Sequence, residues 1–262
     1  MKKTVLVTGA SSGIGEEFAK QYASKGYNLV LVARSREKLL KLSDLLTTKY
    51  HIHVHIIVLD LSKEFSVNDI FSYLEQEKIE IDILVNNAGY ATNGRLTNID
   101  FKHQHEQIML NSVTVMDMCY QFIKDKLSKN KNEGTIINIA STAAFHPIPY
   151  MSIYAATKAF VLSFTEALNK EYRQYGFDII AVCPGATDTN FFNNGGVSFG
   201  NKRTPYDVVQ TAFEGLKKKK ISVIDGKQNI FSSVLLPKLL SRTKMVNLVS
   251  NIMVKRIDAR GQ

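Results

Sequence analysis

Cysteine is nearly absent. Two residues, Cys119 and Cys183, occur in 262, too few for a disulfide framework and neither at metal-ligand spacing from a second Cys or a His. A reducing compartment, the cytoplasm, is therefore expected, with both thiols as packing residues and no metal site. Proline is scarce too, at five, and no linker, low-complexity tract or solenoid-type repeat divides the chain. No run of about 18 apolar residues occurs, so no membrane-spanning helix is expected. The apolar stretch in residues 1–9 is too short for a secretory signal and runs straight into glycines, which reads as a first strand. What is present suits one large α/β domain over residues 1–262: 45% of the residues are hydrophobic, enough for a full core.

Charge is placed unevenly. The net charge is +9, yet the first 199 residues hold twenty basic and twenty acidic side chains. From Gly200 onward thirteen Lys and Arg stand against four Asp and Glu. The basic character belongs to the C-terminal quarter alone. Beyond Phe231 no aromatic residue interleaves the charges of the tail to stack on bases, so nucleic acid is not an expected partner.

Hydrophobic patterning alternates with a short period. A β-branched run at residues 4–8 leads into Gly9-Ala10-Ser11-Ser12-Gly13-Ile14-Gly15, an amphipathic helix over 16–25, and a second buried strand over 27–33. Glycines at a strand-to-helix turn let the backbone approach a pyrophosphate, and the helix N-terminus offers free N–H groups. The spacing is G-x-x-x-G-x-G, not the commoner G-x-G-x-x-G. Helix and strand then alternate: helices over 36–50, 64–78, 101–129 and 152–175, strands over 52–59, 81–85, 135–140 and 177–183. Such alternation predicts a Rossmann-like, doubly wound parallel sheet with helices on both faces, a three-layer α/β/α fold. In such sheets ligands bind beyond the carboxyl ends of the strands. The Asn86-Asn87-Ala88-Gly89, Ser141 and Pro184-Gly185 positions all fall at such ends.

Tyr154 and Lys158 stand four apart at the start of a long apolar helix, which puts both on one face. An ammonium near a phenol favours the phenolate, so Lys158 is expected to lower the Tyr154 pKa and fit the phenol for proton transfer. Taken alone, Tyr-x-x-x-Lys is also a common helical spacing with no chemistry in it.

Taken together, the glycine turn, Asn86-Asn87-Ala88-Gly89, Asn111, Ser141, Tyr154-x-x-x-Lys158 and Pro184-Gly185 resemble the short-chain dehydrogenases/reductases, in family order, from Thr4 to about Thr189. The tail is similar to that of a bacterial branch of broadly specific reductases related to hydroxysteroid- and retinol-type members. The resemblance implies hydride transfer between a nicotinamide cofactor and a carbonyl or alcohol carbon. It gives Tyr154 the role of general acid and has Lys158 hydrogen-bond the nicotinamide ribose. Ser141 donates to the substrate oxygen, and Asn111 holds a water that relays protons to Lys158. Gly9, Ser11, Ser12, Gly13, Ile14 and Gly15 would cradle the cofactor. Asp60 and Leu61 would line the adenine, Asn87, Ala88 and Gly89 the adjoining ribose, and Pro184, Gly185 and Thr187 the nicotinamide end.

NAD-using members tend to close the second strand with a carboxylate for the ribose 2′-OH. Here the strand ends at Ala33 and is followed by Arg34 and Ser35, a run like that of NADP(H)-using members. A guanidinium can grip a 2′-phosphate with parallel hydrogen bonds. NADP(H) is the expected cofactor, read by Arg34 and Ser35.

The resemblance implies that residues 187–200, rich in Gly, Asn and Phe, form a substrate lid. Residues 231–262 form a basic amphipathic extension that can close the pocket, join subunits or make a weak peripheral contact with an anionic membrane. His51, His53 and His55 alternate along a strand with no carboxylate or Cys beside them, which marks a solvated face. Tyr90, His146, Ile148 and Met151 flank the expected site. The expected activity is NADP(H)-dependent oxidoreduction of a fairly apolar carbonyl or alcohol compound, and the resemblance implies a homo-oligomer, dimer or tetramer, built on the helices over 101–129 and 152–175. The alternatives are a 3-oxoacyl-thioester reductase and a non-catalytic NADP(H)-binding regulator at a membrane surface.

Overall fold

Strands follow from runs such as Asn28–Ala33, where five consecutive side chains are buried, as a strand covered on both faces requires. In the computed structural model, which describes residues 2–189, 191 and 202–258, seven parallel strands form one sheet in the order β3-β2-β1-β4-β5-β6-β7. They are β1 Thr4–Thr8, β2 Asn28–Ala33, β3 Val54–Val58, β4 Ile83–Asn86, β5 Gly134–Ile139, β6 Phe177–Cys183 and β7 Ser222–Ile224. The order reverses between β1 and β4, whose register pairs Leu6 with Leu84 and Val7 with Val85. A crevice opens at that switch point. The three-residue β7 was not expected. It pairs with Ala181–Cys183, but its brevity and the four lysines before it hide any alternation.

Helices α1 (Gly13–Ser24), α2 (Arg36–Tyr50) and α7 (Pro205–Lys217) cover one face. There Phe18, Leu39, Leu46 and Val208 pack on Val5, Leu29 and Ile180. Helices α3 (Ser66–Gln76), α5 (Thr114–Ser128) and α6 (Ser152–Tyr172) cover the other, burying Ile70, Met118, Phe122 and Val161 against Leu6, Val30 and Ile136. Each fully buried side chain of this size is worth about 1.5–3 kcal/mol. On this second face Asn86 Nδ2 donates to Asn138 Oδ1 at 2.9 Å, and Asn138 Nδ2 donates to Thr165 Oγ1 at 2.9 Å. This polar string fixes α6 to the sheet where an unmade bond would be costly.

The helix expected over 101–129 is interrupted. After α4 (Phe101–Ile108), Met109–Val113 form a π turn before α5 begins. The tail comprises α8 (Lys227–Ile230), a second π turn at Phe231–Leu235, α9 (Leu236–Leu239) and α10 (Arg242–Asp258). Its Met245, Val249 and Met253 bury themselves against Ala143, Ile148, Met151 and Tyr154. Of the expected lid, residues 190 and 192–200 lie outside the described residues, as do 259–262 of the tail.

Candidate active site

A cavity of about 920 Å³ opens at the carboxyl ends of β1, β2, β4, β5 and β6 and runs beneath the tail helices. At its β1 end the glycine turn is braced from below. Thr8 Oγ1 accepts hydrogen bonds from the N–H groups of Asn87 (2.9 Å) and Ala88 (3.0 Å), and Asn87 Nδ2 donates to the carbonyls of Thr8 (3.0 Å) and Gly9 (3.2 Å). Gly9 and Gly13 adopt φ of +65° and +58°. A Cβ on Gly9 would sit 2.8 Å from Asn87 Nδ2, and one on Gly15 would collide with Asn87 Nδ2 and the Gly9 carbonyl. Only glycine permits this close approach. Gly9, Ser11, Ser12, Gly13 and Ile14 line the cavity; Gly15 lies beneath them, buried.

Beyond β2, Arg34 and Ser35 line the cavity, together with Lys38 from the first turn of α2. Lys38 was not singled out from the sequence; its position one turn past the Ser35 cap was the available signal. Asp60 and Leu61 follow β3. Burial raises the Asp60 carboxyl pKa, but the Ser62 hydroxyl (2.7 Å) and N–H (3.0 Å), with Arg34 and Lys63 nearby, outweigh it and hold the group below the usual range. No carboxylate ends β2. The glycine cradle at the carboxyl ends of the strands fits a nicotinamide dinucleotide.

Tyr154, Ser141 and Lys158 converge at the centre of the cavity, all less than a tenth exposed. Ser141 caps a short 3₁₀ turn, its Oγ accepting from Ala143 N at 3.1 Å. The Ser141 side chain lies beside the phenol. Lys158 Nζ donates to the Ile139 carbonyl at 2.7 Å and lies 5.9 Å from the centre of the Tyr154 ring. The expectation that Lys158 acidifies Tyr154 is corrected here. Burial pushes the phenol up to about 12, with Ser141 pulling weakly the other way. The same burial pushes the lysine down to about 8. Helical spacing brings the two side chains together, but the cost of charge in a dry site exceeds their mutual effect.

Asn111 stands in the first π turn, fully buried. Its Oδ1 accepts from Tyr90 N at 3.1 Å, and its Nδ2 donates to Tyr90 O (2.9 Å) and Thr157 Oγ1 (3.2 Å). The extra residue of a π turn re-aims a helical side chain, here away from solvent. Gly89 occupies the gap between Asn111 and Lys158: a Cβ there would lie 2.9 Å from Asn111 Oδ1 and 3.7 Å from Lys158 Nζ. Asn111 itself does not line the cavity, whereas Asn87, Ala88 and Gly89 do.

Pro184, Gly185 and Thr187 line the far wall. Thr187 is bridged to Arg203, where the chain returns. Arg203 donates through Nε and Nη2 to the fully buried Asp225 carboxylate, both at 2.9 Å, and Thr211 Oγ1 donates to the same group at 2.7 Å. Phe191, from the expected lid, sets its ring centre 5.8 Å from that of Tyr154.

The tail supplies the remaining wall through Ser232, Ser233, Leu236, Met245, Leu248 and Val249. Sequence reasoning left the place of this segment open among three options; the structure sets it over the cavity. His53 is exposed and His55 faces Tyr73 Oη at 3.3 Å. Among the described residues no cluster of three metal-ligating side chains occurs, and no helix is long and apolar enough to cross a membrane.

Comparisons with known proteins agree with this fold. A family model described as short chain dehydrogenase matches residues 3–196. A very-long-chain 3-oxoacyl-CoA reductase of Anas platyrhynchos is 33% identical over 79% of this chain; the alignment spans 66% of that relative, just under two thirds of its length. A 7β-hydroxysteroid dehydrogenase of Mediterraneibacter gnavus is 29% identical over 86% of each chain. Among solved structures, a short-chain dehydrogenase from Sphingobium yanoikuyae in complex with NADPH superposes with a TM-score of 0.81 at 31% identity, covering 90% of this chain and 93% of that one.

Proposed function

This chain belongs to the short-chain dehydrogenase/reductase family, oxidoreductases that act on alcohol and carbonyl groups with a nicotinamide cofactor, and from that premise we propose that it is an NADP(H)-dependent reductase of fairly apolar ketones or aldehydes. The observation that carries the reading is the buried trio Ser141, Tyr154 and Lys158 in a cavity whose other end is a glycine cradle flanked by Arg34 and Lys38.

Bound to this chain, the nicotinamide would supply or take up the hydride. The residues to hold it are Gly9, Ser11, Ser12, Gly13, Ile14 and Gly15 along the diphosphate, with Asp60, Leu61, Asn87, Ala88 and Gly89 at the adenosine. Pro184, Gly185, Thr187, Tyr154 and Lys158 serve the nicotinamide side. Arg34, Ser35 and Lys38 favour a 2′-phosphate, since two cations stand where a carboxylate would repel one.

Ser141 and Tyr154 carry two neighbouring hydroxyls that can donate to one carbonyl oxygen as negative charge develops on it. A phenol held near 12 stays protonated at neutral pH and is the acid that reduction requires. Lys158, pushed to about 8, is the group beside it whose charge changes near neutrality. Its ammonium stabilises the phenolate left behind, and Asn111 positions the proton path through the gap that Gly89 leaves open. A regulator without catalysis would have no use for this buried set.

The cavity's wall of Ile148, Met151, Leu236, Met245 and Val249 suits an apolar substrate. A second reading, reduction of 3-oxoacyl thioesters, is favoured by the similarity to the 3-oxoacyl-CoA reductase. The proposed setting is the cytoplasm, in keeping with two buried free thiols. Exposed Phe101, Met116, Tyr120 and Phe160 on α4–α6 support a homo-oligomer. The deciding experiment follows consumption of NADPH and NADH with a panel of steroid, alkyl and aryl ketones, aldehydes and 3-oxoacyl-CoA. Turnover of apolar ketones with NADPH is expected; no turnover of any carbonyl compound would refute the reading.

A further inference from the structure

Six large apolar side chains of the tail remain in contact with water: Ile230, Phe231, Leu235 and Leu239 on the helical stretch 227–239, and Leu248 and Ile252 on α10. Leu239 is 75% exposed and Phe231 54%. The two runs touch, since Leu236 and Leu240 pack on the cluster that holds Met245 and Val249. Leu248 and Ile252 also line the cavity, so the apolar patch and the cavity share an edge. Exposed apolar surface gathered at one place marks an interaction site.

The charges around it identify the occupant. Lys227, Lys238, Arg242, Lys244 and Lys255 are all exposed in the same region. Between Gly226 and Ile257 the sequence contains no Asp or Glu. A second copy of this chain would bring the same basic surface to the contact and be repelled. Nucleic acid would find one exposed aromatic ring, Phe231, on which to stack. An anionic bilayer meets both requirements, taking apolar side chains below the headgroups and cations among them.

We propose that the rim of the cavity formed by residues 227–255 docks on an anionic phospholipid surface, from which apolar substrate passes into the cavity. The docking face deepens the reductase reading and depends on it only for what is done to the molecule that enters. Residues Met245, Val249 and Met253 stay buried on the body throughout, so the tail docks as it is folded and need not detach.

The test uses the full chain and sedimentation with vesicles of equal parts phosphatidylglycerol and phosphatidylcholine, against phosphatidylcholine alone. Sedimentation with the anionic vesicles only, weakened by added salt, is expected. Leu239→Ser with Phe231→Ser, and separately Lys238→Glu with Lys244→Glu, should each reduce the bound fraction by roughly tenfold or more. All four positions lie outside the cavity lining, so turnover of a water-soluble ketone should be unchanged in both variants, which also shows that they fold. Wild-type protein that turns over this ketone yet stays in the supernatant with anionic vesicles would overturn the proposal. So would a concentration-dependent dimer in analytical ultracentrifugation that Leu239→Ser abolishes, since the patch would then be a contact between copies. Vesicle binding without turnover of any carbonyl compound would sustain the docking face and refute only the reductase reading.

Discussion

The two ends of the cavity are built by different means. At the glycine end, backbone is held by backbone and by short polar side chains: Thr8, Asn87 and the turn interlock within 3.2 Å, and no added methyl fits at Gly9 or Gly15. At the tail end, Met245, Val249 and Met253 lie on Ile148 and Met151 by apolar contact alone. The first arrangement tolerates no change of shape and therefore suits a ligand of constant shape. The second tolerates volume-conserving exchange and suits a ligand whose shape varies among relatives. Tyr154 belongs to both, with its hydroxyl at Ser141 and its ring against Phe191.

The hardest blow to this comparison should fall at its meeting point. Tyr154→Phe is expected to lower turnover by about 10²–10⁴-fold while NADPH affinity, measured by fluorescence, stays within a factor of about two. A parallel loss of cofactor binding would show that the two ends are not separable. Next in size, Met253→Ala removes a fully buried side chain and should cost about 2–5 kcal/mol, read by denaturant unfolding. Its KM for apolar ketones should rise with no change in NADPH affinity. Arg34→Ala combined with Lys38→Ala should weaken NADPH by about 2 kcal/mol, roughly thirtyfold, and leave NADH binding as it was. Equal loss for both would remove the 2′-phosphate from the account. The smallest effect is on pH. Lys158 carries its charge below about 8 and loses it above, so kcat/KM for reduction should be flat on the acid side and decline as pH rises through about 8, by less than tenfold per pH unit. A profile that is level from about 6 to 10 would deny Lys158 this part.

The same division governed what could be read from the chain. Gly9, Gly13 and Gly15 announce their place because glycine marks positions where no side chain fits, and six of the seven strands were plain from buried β-branched runs. Asn111 was legible only by resemblance, since nothing in the sequence marks the π turn that brings it inward. The direction of the Tyr154 shift was misread because helical spacing reports adjacency but not dryness. Lys38 went unremarked among the other charges of α2. The tail was seen as amphipathic, yet its buried stripe and its exposed leucines differ by one helical position, and only packing tells them apart.

Arg203 and Asp225 have a bearing on ancestry. The chain leaves the sheet at Thr187 and comes back beside it at Arg203, anchored there by a bidentate ion pair. An excursion whose two feet share one footing can lengthen at small entropic cost, about 0.6 kcal/mol per doubling, without shifting the wall it springs from. Thr187 and Arg203 are thus held together independently of the residues between them, so a lineage can vary those residues while the wall that Pro184, Gly185 and Thr187 form is inherited intact.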